Sequence, residues 1–532
     1  MTKESFLRGA VILTLASLAS RVIGLLYMVV LPRLIYDDGM GLYQLVKPIH
    51  YFAAVIAIAG MPVAIAKLIA EKVALGSRQD VRRVLRVGAG VMVLTGGLVA
   101  LALLIGANWF AANFAKDPGV TRTLTLLGPA CFFLALSAAL RGFFQGMQCM
   151  TPTAIAQVAD QVVRVGATVL LTIWLRARGI EVAGSGIAWG FIIGELTGWL
   201  VLAAYYIRQR DTLLGAIPAG RQSARSDSVT RIVRNLFSLS IPAVVATVLW
   251  PVMQMADSLL IPLRMQAAGF SADTIREGLG HLGMALTLAQ FPNIVTVALA
   301  TSLVPAITEA WALHSKKLVR YRTQEALRIA LIFGIPSCAA LYVLAEPLSQ
   351  MLFGYSQVGA PLSILAAGTV TLGLIQTSTG ILQGLGAMHL PVISLALGVV
   401  VKFALNYVLL AHPRLGMLGA AWSTSLTWGI VAAVNLAAVF VKVGKAISLR
   451  SSLLYPSVAA AGSALLMYFL HDTLAYYIKG GLGSLLALVI GLVLYFLLTM
   501  IWGSFTLRDV HLIPGAGKPL GRWLQAWGFL PK

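Results

Sequence analysis

Seven ionisable side chains sit in stretches otherwise too apolar to hold them: Arg21, Lys47, Asp160, Arg164, Glu195, Asp257 and Lys402. A charge at membrane depth costs roughly 3 kcal/mol even on lenient insertion scales, so each must meet a counter-charge, water or a ligand. Arg21 is the sharpest case. It lies near the middle of an apolar run from about Gly9 to Leu31, some 16 Å from either surface and beyond full snorkelling. Two chemistries fit it. A neighbouring carboxylate ties it off, or it faces a wet cavity that receives an anion. In the second case its guanidinium holds a phosphate by paired, charge-assisted hydrogen bonds. That second reading is our working expectation.

The remaining six divide by spacing. Asp160 and Arg164 are four residues apart and share a helix face, which predicts a structural ion pair. Lys402 has no acid on its own span, only Asn406 four residues later, so it joins Arg21 as a candidate for substrate charge. Lys47 shares a helix face with His50 close to a span end, where it can snorkel; it is the third substrate-binding candidate. Glu195 and Asp257 are isolated acids, suited to compensating these cations or carrying a proton. No catalytic constellation accompanies them. There is no Gly-rich phosphate loop with lysine, no His-Glu-x-x-His pair and no nucleophile elbow. Cys131, Cys149 and Cys338 lack metal or redox spacing. Neither an enzyme, a metal site nor a cofactor is expected.

The elements that must position these residues are membrane helices. With 59% hydrophobic and 11% charged residues among 532, and a mean hydropathy of +0.86, the chain is not water-soluble. Its apolar runs near 20 residues suit a bilayer core of about 30 Å, and they are continuous rather than alternating, which excludes a barrel. The expected fold is an all-α polytopic membrane protein. Fourteen spans are placed near 9–31, 42–68, 86–107, 121–142, 152–174, 183–206, 235–261, 282–311, 329–346, 359–385, 391–411, 416–440, 453–471 and 482–502. The N-terminus reads as a retained first helix rather than a cleaved signal.

The net charge of +21 accords with this topology. With the N-terminus cytoplasmic, nine of the 40 Lys and Arg residues fall outside, four within spans, and the other 27 inside. That bias has the sign the positive-inside rule requires, so nucleic acid is not needed as a partner. The loop from Glu71 to Arg86 is expected to orient spans and touch anionic membrane lipids.

The chain also repeats itself. Phe144-Gln-Gly-Met-Gln-Cys-Met150 is answered by Leu382-Gln-Gly-Leu-Gly-Ala-Met388; 19 residues beyond each glutamine come Arg164 and Lys402. Gly186-Ile-Ala-Trp189 is answered by Gly419-Ala-Ala-Trp422. Six spans per copy give both copies one orientation, a parallel repeat of the kind that serves alternating access. The expected organisation is a six-helix lobe over 1–207, a cytoplasmic linker over 208–231, and a second six-helix lobe over 232–441. Two further helices come next over 442–507, then a cytoplasmic interfacial tail over 508–532 carrying Arg522, Trp523, Trp527 and Lys532. Prolines such as Pro48, Pro62, Pro242, Pro292 and Pro305 bend spans, either around a cavity or passively.

These features together resemble a known family. Ser20-Arg-Val-Ile-Gly24, Gly60-Met-Pro-Val-Ala-Ile-Ala-Lys67, Leu140-Arg-Gly-Phe-Phe-Gln-Gly146, Gln157 through Arg164 and Thr301-Ser-Leu-Val-Pro-Ala-Ile-Thr-Glu309 are similar to the oligosaccharide flippases. The likeness is closest to the stage V sporulation protein B-like and lipid II flippase-like branch of the multidrug/oligosaccharidyl-lipid/polysaccharide exporter superfamily, and it covers essentially the whole chain. The resemblance implies a central cationic cavity lined by spans 1, 2, 7 and 8, with spans 13 and 14 helping to form a groove for a polyprenyl tail. Arg21 matches the family's first-helix arginine. Lys47 matches no family motif, and Asp257 stands where some relatives carry a basic residue, so the cavity is less cationic than that pattern.

Taken with the charges and the repeat, the resemblance implies a flippase of the bacterial cell membrane, both termini cytoplasmic. It would move an undecaprenyl-diphosphate-linked saccharide such as a peptidoglycan precursor from inner to outer leaflet. Its partners would be that lipid-linked oligosaccharide, anionic lipids and, as a candidate, the cell-wall synthesis machinery. Two alternatives stand. A cation-coupled multidrug exporter of the same superfamily would use Asp257 and Glu195. A membrane glycosyltransferase or polymerase would need an acid or histidine constellation in the outer loops, where Asp273 and Glu277 share one face.

Overall fold

A computed structural model describes residues 6–117, 119–177, 179–217, 227–477, 481–506 and 509. Most of the linker's centre and all of the tail except Asp509 therefore lie outside the described residues, as do Arg522, Trp523, Trp527 and Lys532. Among the described residues the fold is all-α, with no strand. An isolated bilayer-crossing segment must satisfy its own backbone, and a helix does so. Thirteen helical segments among the described residues are long and apolar enough to cross a membrane. The first of them, Val11–Ala74, is 64 residues long, about three times what one crossing needs, and it contains both expected spans 1 and 2.

Two local breaks explain how that segment folds. Helix α1 (Phe6–Ile58) turns at Tyr36, whose φ of 59° and ψ of −177° leave helical space. The Arg176 guanidinium lies over the Tyr36 ring, 4.7 Å from its centre, and packs against the turn. A second break at Ala59-Gly60 separates α1 from α2 (Met61–Ala74). Gly60 has φ +66°, and a Cβ there would lie 3.0 Å from the Ser240 carbonyl oxygen, so both its conformation and its packing call for glycine. Pro62 comes in the first turn of α2, where its missing N–H costs nothing.

By packing, the chain forms two compact units, Met1–Gly280 and His281–Lys532. The first contains α1, α2, α3 (Arg78–Phe110), α4 (Gly119–Gly146), α5 (Thr151–Arg176), α6 (Ile180–Gly215) and α7 (Val229–Ala267). The packing boundary and the polar linker at 208–231 do not coincide, because α7 packs onto α1 and α2. Ser258 of α7 donates to the Gln44 carbonyl at 3.3 Å, and Lys72 of α2 pairs with Asp227, just before α7, at 2.5 Å. At the opposite end the start of α8 (Ala272–Gln290) lies against α1 through paired glycines. A Cβ on Gly41 would overlap the Arg276 carbonyl, and one on Gly280 the Asp37 carbonyl. Arg276 also pairs with Asp117 at 2.9 Å.

The second unit takes the rest of α8, then α9 (Asn293–Ala312), α10 (Lys316–Val343), α11 (Ala345–Phe353), α12 (Gly359–Gly384), α13 (His389–Leu409), α14 (Leu418–Val443), α15 (Tyr455–Tyr477) and α16 (Leu482–Ile501). The span expected as one helix over 282–311 is two, α8 and α9, divided at Phe291-Pro292 because proline cannot supply the N–H that would continue α8. The last two helices are tied to α10. The Tyr495 hydroxyl donates to the Ile332 carbonyl at 2.9 Å, and buried Arg328 pairs with Asp509 at 2.7 Å while also donating to the Ser504 carbonyl.

The sequence repeat is visible in backbone detail. Helix α4 ends with Cys149 N–H bonding the Phe144 carbonyl and Gln148 N–H bonding Gln145; α12 ends with Ala387 bonding Leu382 and Gly386 bonding Gln383. The residue at positive φ is Gln148 in one and Gly386 in the other. Ser77 caps α3 by accepting from Asp80 N–H, and Ser315 caps α10 by accepting from Leu318 N–H. Arg78 donates to the Gly215 carbonyl at the end of α6 and the Ile217 carbonyl just beyond it, as Arg320 donates to the Lys445 carbonyl beyond α14.

Candidate functional site

Arg21 lies midway between the start of α1 and its turn at Tyr36, about 22 Å along the helix from each. It is exposed, and it makes no ion pair or hydrogen bond among the described residues. The neighbouring face of α1 explains what holds it there. Ser17 and Ser20 donate to the Gln157 side chain and carbonyl on α5, at 3.4 and 3.5 Å, and Tyr27 and Leu31 are buried on the same side. Arg21 stands at the margin of this packed face, with Leu18, Val22 and Leu26 exposed beyond it. The helix is fixed by neutral contacts and its guanidinium is left available.

The other deep charges are disposed differently. Arg164 on α5 binds both oxygens of Asp160 at 2.8 Å and Glu195 of α6 at 2.6 Å, and it stacks 4.7 Å from the centre of the Phe191 ring. Side chains from two helices thus meet as one cation between two carboxylates. Glu195, expected as an isolated acid, is a partner of this network. Lys47 is half-buried over the Tyr43 ring at 5.7 Å, beside a cavity of about 10 Å³ bounded by His50, Leu127 and Phe191. There is room there for about one water. Lys402, 2% exposed between α13 and α14, donates to the Thr424 hydroxyl at 2.6 Å. In the repeat Lys402 occupies the place of Arg164, and there it donates to a threonine hydroxyl where Arg164 binds two carboxylates. Asp257 is half-buried on α7, next to Ser258.

Sequence reasoning missed the two helix breaks. The break after α1 frees the Ala57 carbonyl, which accepts from Thr95 of α3 at 3.0 Å. The break before α9 is bridged by buried Asn293, whose side-chain amide reaches back to the Ala289 carbonyl at 3.5 Å and whose carbonyls accept from Thr296. The two breaks occupy corresponding spans of the repeat. Each opens a half-helix, α2 or α9, whose first N–H groups lie inside an apolar segment with the positive end of the helix dipole behind them. Interrupted helices at matching places in two repeats are the backbone signature of an ion or anion site in transporters. The signal lies in Gly60, Pro62 and Pro292, which by themselves announce only bends.

Comparison with known proteins fits this architecture. Residues 6–311 match the family model described as polysaccharide biosynthesis protein. The chain is 30% identical over 427 residues to stage V sporulation protein B of Bacillus subtilis, covering 79% of this chain and 81% of the relative. It is 27% identical to the lipid II flippase MurJ of the same organism, over 76% and 78% of the two chains. Among solved structures, an inward closed conformation of lipid II flippase MurJ superposes with a TM-score of 0.66 at 16% identity, covering 92% of this chain and 98% of that one. An inward-facing multidrug resistance transporter of the MATE family gives a TM-score of 0.64 at 14% identity, over 81% and 94%. The fold is theirs, carried on a multi-pass bacterial membrane protein. The chain therefore belongs to the polysaccharide biosynthesis protein family.

Proposed function

We propose that this protein is a flippase for an undecaprenyl-diphosphate-linked saccharide, a peptidoglycan precursor or another polysaccharide unit. It carries the saccharide from inner to outer leaflet by alternating access, with both termini in the cytoplasm. The observation that carries this reading is Arg21: a cation halfway along a membrane helix, exposed and without an ion partner among the described residues. A diphosphate supplies the missing charge, and a guanidinium binds it through two parallel hydrogen bonds. The uncapped start of α2 offers further N–H donors to the same kind of anion. Lys47 and Lys402 contribute positive potential from within their units. Asp257 serves as charge compensation or coupling, and Glu195 enters coupling only through Arg164. The saccharide crosses in water-filled space while the polyprenyl chain stays in lipid.

The test is precursor flipping in cells depleted of their other flippases. The intact protein should restore it and Arg21→Ala should abolish it. Arg21→Lys keeps the charge but loses the fork, and should run about tenfold or more slower. Absence of rescue by the intact protein would overturn the assignment. Full activity of Arg21→Lys would overturn bidentate phosphate binding alone.

A further inference from the structure

We propose that the first unit carries a dedicated site for an anionic phospholipid, in a groove between α3, α4 and α6 at the basic end of the bundle. The groove encloses about 760 Å³. Its rim is cationic: Arg82 and Arg86 from α3 and Arg210 from α6. They face one carboxylate, Asp211, 3.6 Å from Arg82 and 3.5 Å from Arg210, while Arg86 makes no ion pair among the described residues. The rim therefore has a surplus of two positive charges.

The floor is apolar and periodic. Arg82, Leu85, Arg86 and Ala89 recur on one face of α3, and Trp199, Ala203, Ile207 and Arg210 on one face of α6, closed below by Ala139 of α4. From Arg210 to Trp199 the α6 wall runs about 16 Å, close to the depth of one leaflet's hydrocarbon, about 15 Å. A basic rim over an apolar wall one leaflet deep is complementary to a phosphate headgroup with its acyl chain. A soluble anion would use the rim and leave the wall idle. This goes beyond the substrate assignment and is independent of it: the groove lies on α3, α4 and α6, away from Arg21.

Asp211 makes the proposal testable in both directions, since its carboxylate competes with the lipid phosphate for the same arginines. The purified full chain is delipidated stepwise in detergent, offered palmitoyl-oleoyl phosphatidylglycerol or phosphatidylcholine, and measured by native mass spectrometry. The intact protein should retain phosphatidylglycerol in preference to phosphatidylcholine. Arg82→Gln/Arg86→Gln/Arg210→Gln should retain about tenfold less or lower. Asp211→Asn should retain more, and Ala203→Trp, which fills the floor without changing charge, should retain less. A comparison variant that removes three exposed cations elsewhere, Arg234→Gln/Lys442→Gln/Arg450→Gln, should behave as the intact protein. Equal retention of both lipids, equal loss in the comparison variant, or no response to Asp211→Asn and Ala203→Trp would each overturn the site. The last two variants decide the matter if the triple variant fails to fold. Flipping activity is read separately, so loss of the lipid site and loss of the proposed transport are distinguishable.

Discussion

At the scale of single residues, the charges of this protein separate into those used up by the fold and those left over. Arg164 is used up: two carboxylates share it in a buried pocket. Arg164→Leu would strand Asp160 and Glu195, and breaking a buried pair this way costs roughly 3–5 kcal/mol. A large fall in the thermal midpoint of the detergent-solubilised protein is expected, with Arg164→Lys recovering part of it. Asp227 behaves oppositely, near the surface. Its hydrogen bond from Lys72, then one from Arg231, holds its carboxyl below the ordinary value of 3.8. A depressed folded-state pKa stabilises the fold above the ordinary value, and the benefit is lost as pH falls through the lowered one. The gap in thermal midpoint between the intact protein and Asp227→Asn should thus be constant from pH 8 to 5. It should close in stronger acid, and it should reflect no more than about 1 kcal/mol.

At the scale of elements, the broken helices matter most. Gly60 joins α1 to α2 in a left-handed conformation with α7 packed against it. Gly60→Ala should destabilise by about 1–3 kcal/mol through strain and overpacking. Thr95→Val, which strands the Ala57 carbonyl, should cost a similar amount. Both are read by thermal unfolding, and a neutral Gly60→Ala would mean that the junction relaxes freely. These breaks also mark how far the sequence could be read. Asp160 and Arg164 were legible as a pair because one helix carries both. Glu195 was not, because its partner is fixed only when α5 packs on α6. Span positions were legible from apolar length alone, whereas a proline bends, caps or ends a helix according to neighbours that no local pattern names. The turn at Tyr36 falls in the connection expected between 31 and 42, but its exact residue was not legible, because tyrosine has no preference for positive φ.

At the scale of the whole molecule, duplication has preserved the backbone and released the chemistry. The paired turns after α4 and α12 close with the same hydrogen bonds, yet the deep cation between two acids in the first unit faces a hydroxyl in the second. The family likeness was legible because those turn sequences are contiguous. The lipid groove was legible only in part: Arg82 and Arg86 fall in the loop expected to touch anionic lipids, whereas Arg210 and its wall join them only when α6 packs on α4. The two ends of the first unit differ as well. At one end Gly41 and Gly280 bring α1 and α8 backbone to backbone, a contact set by shape rather than charge. At the other, Lys72 reaches Asp227 through side chains partly open to solvent. Ionic strength acts on these unequally, since mobile ions screen charges open to solvent and leave steric fit untouched. Raising salt from about 0.01 to 1 M shortens the screening length roughly tenfold. Hydrogen exchange should then quicken at the start of α7 and stay unchanged at residues 37–41. One end of the first unit answers to the composition of the surrounding solution, and the other only to its own shape.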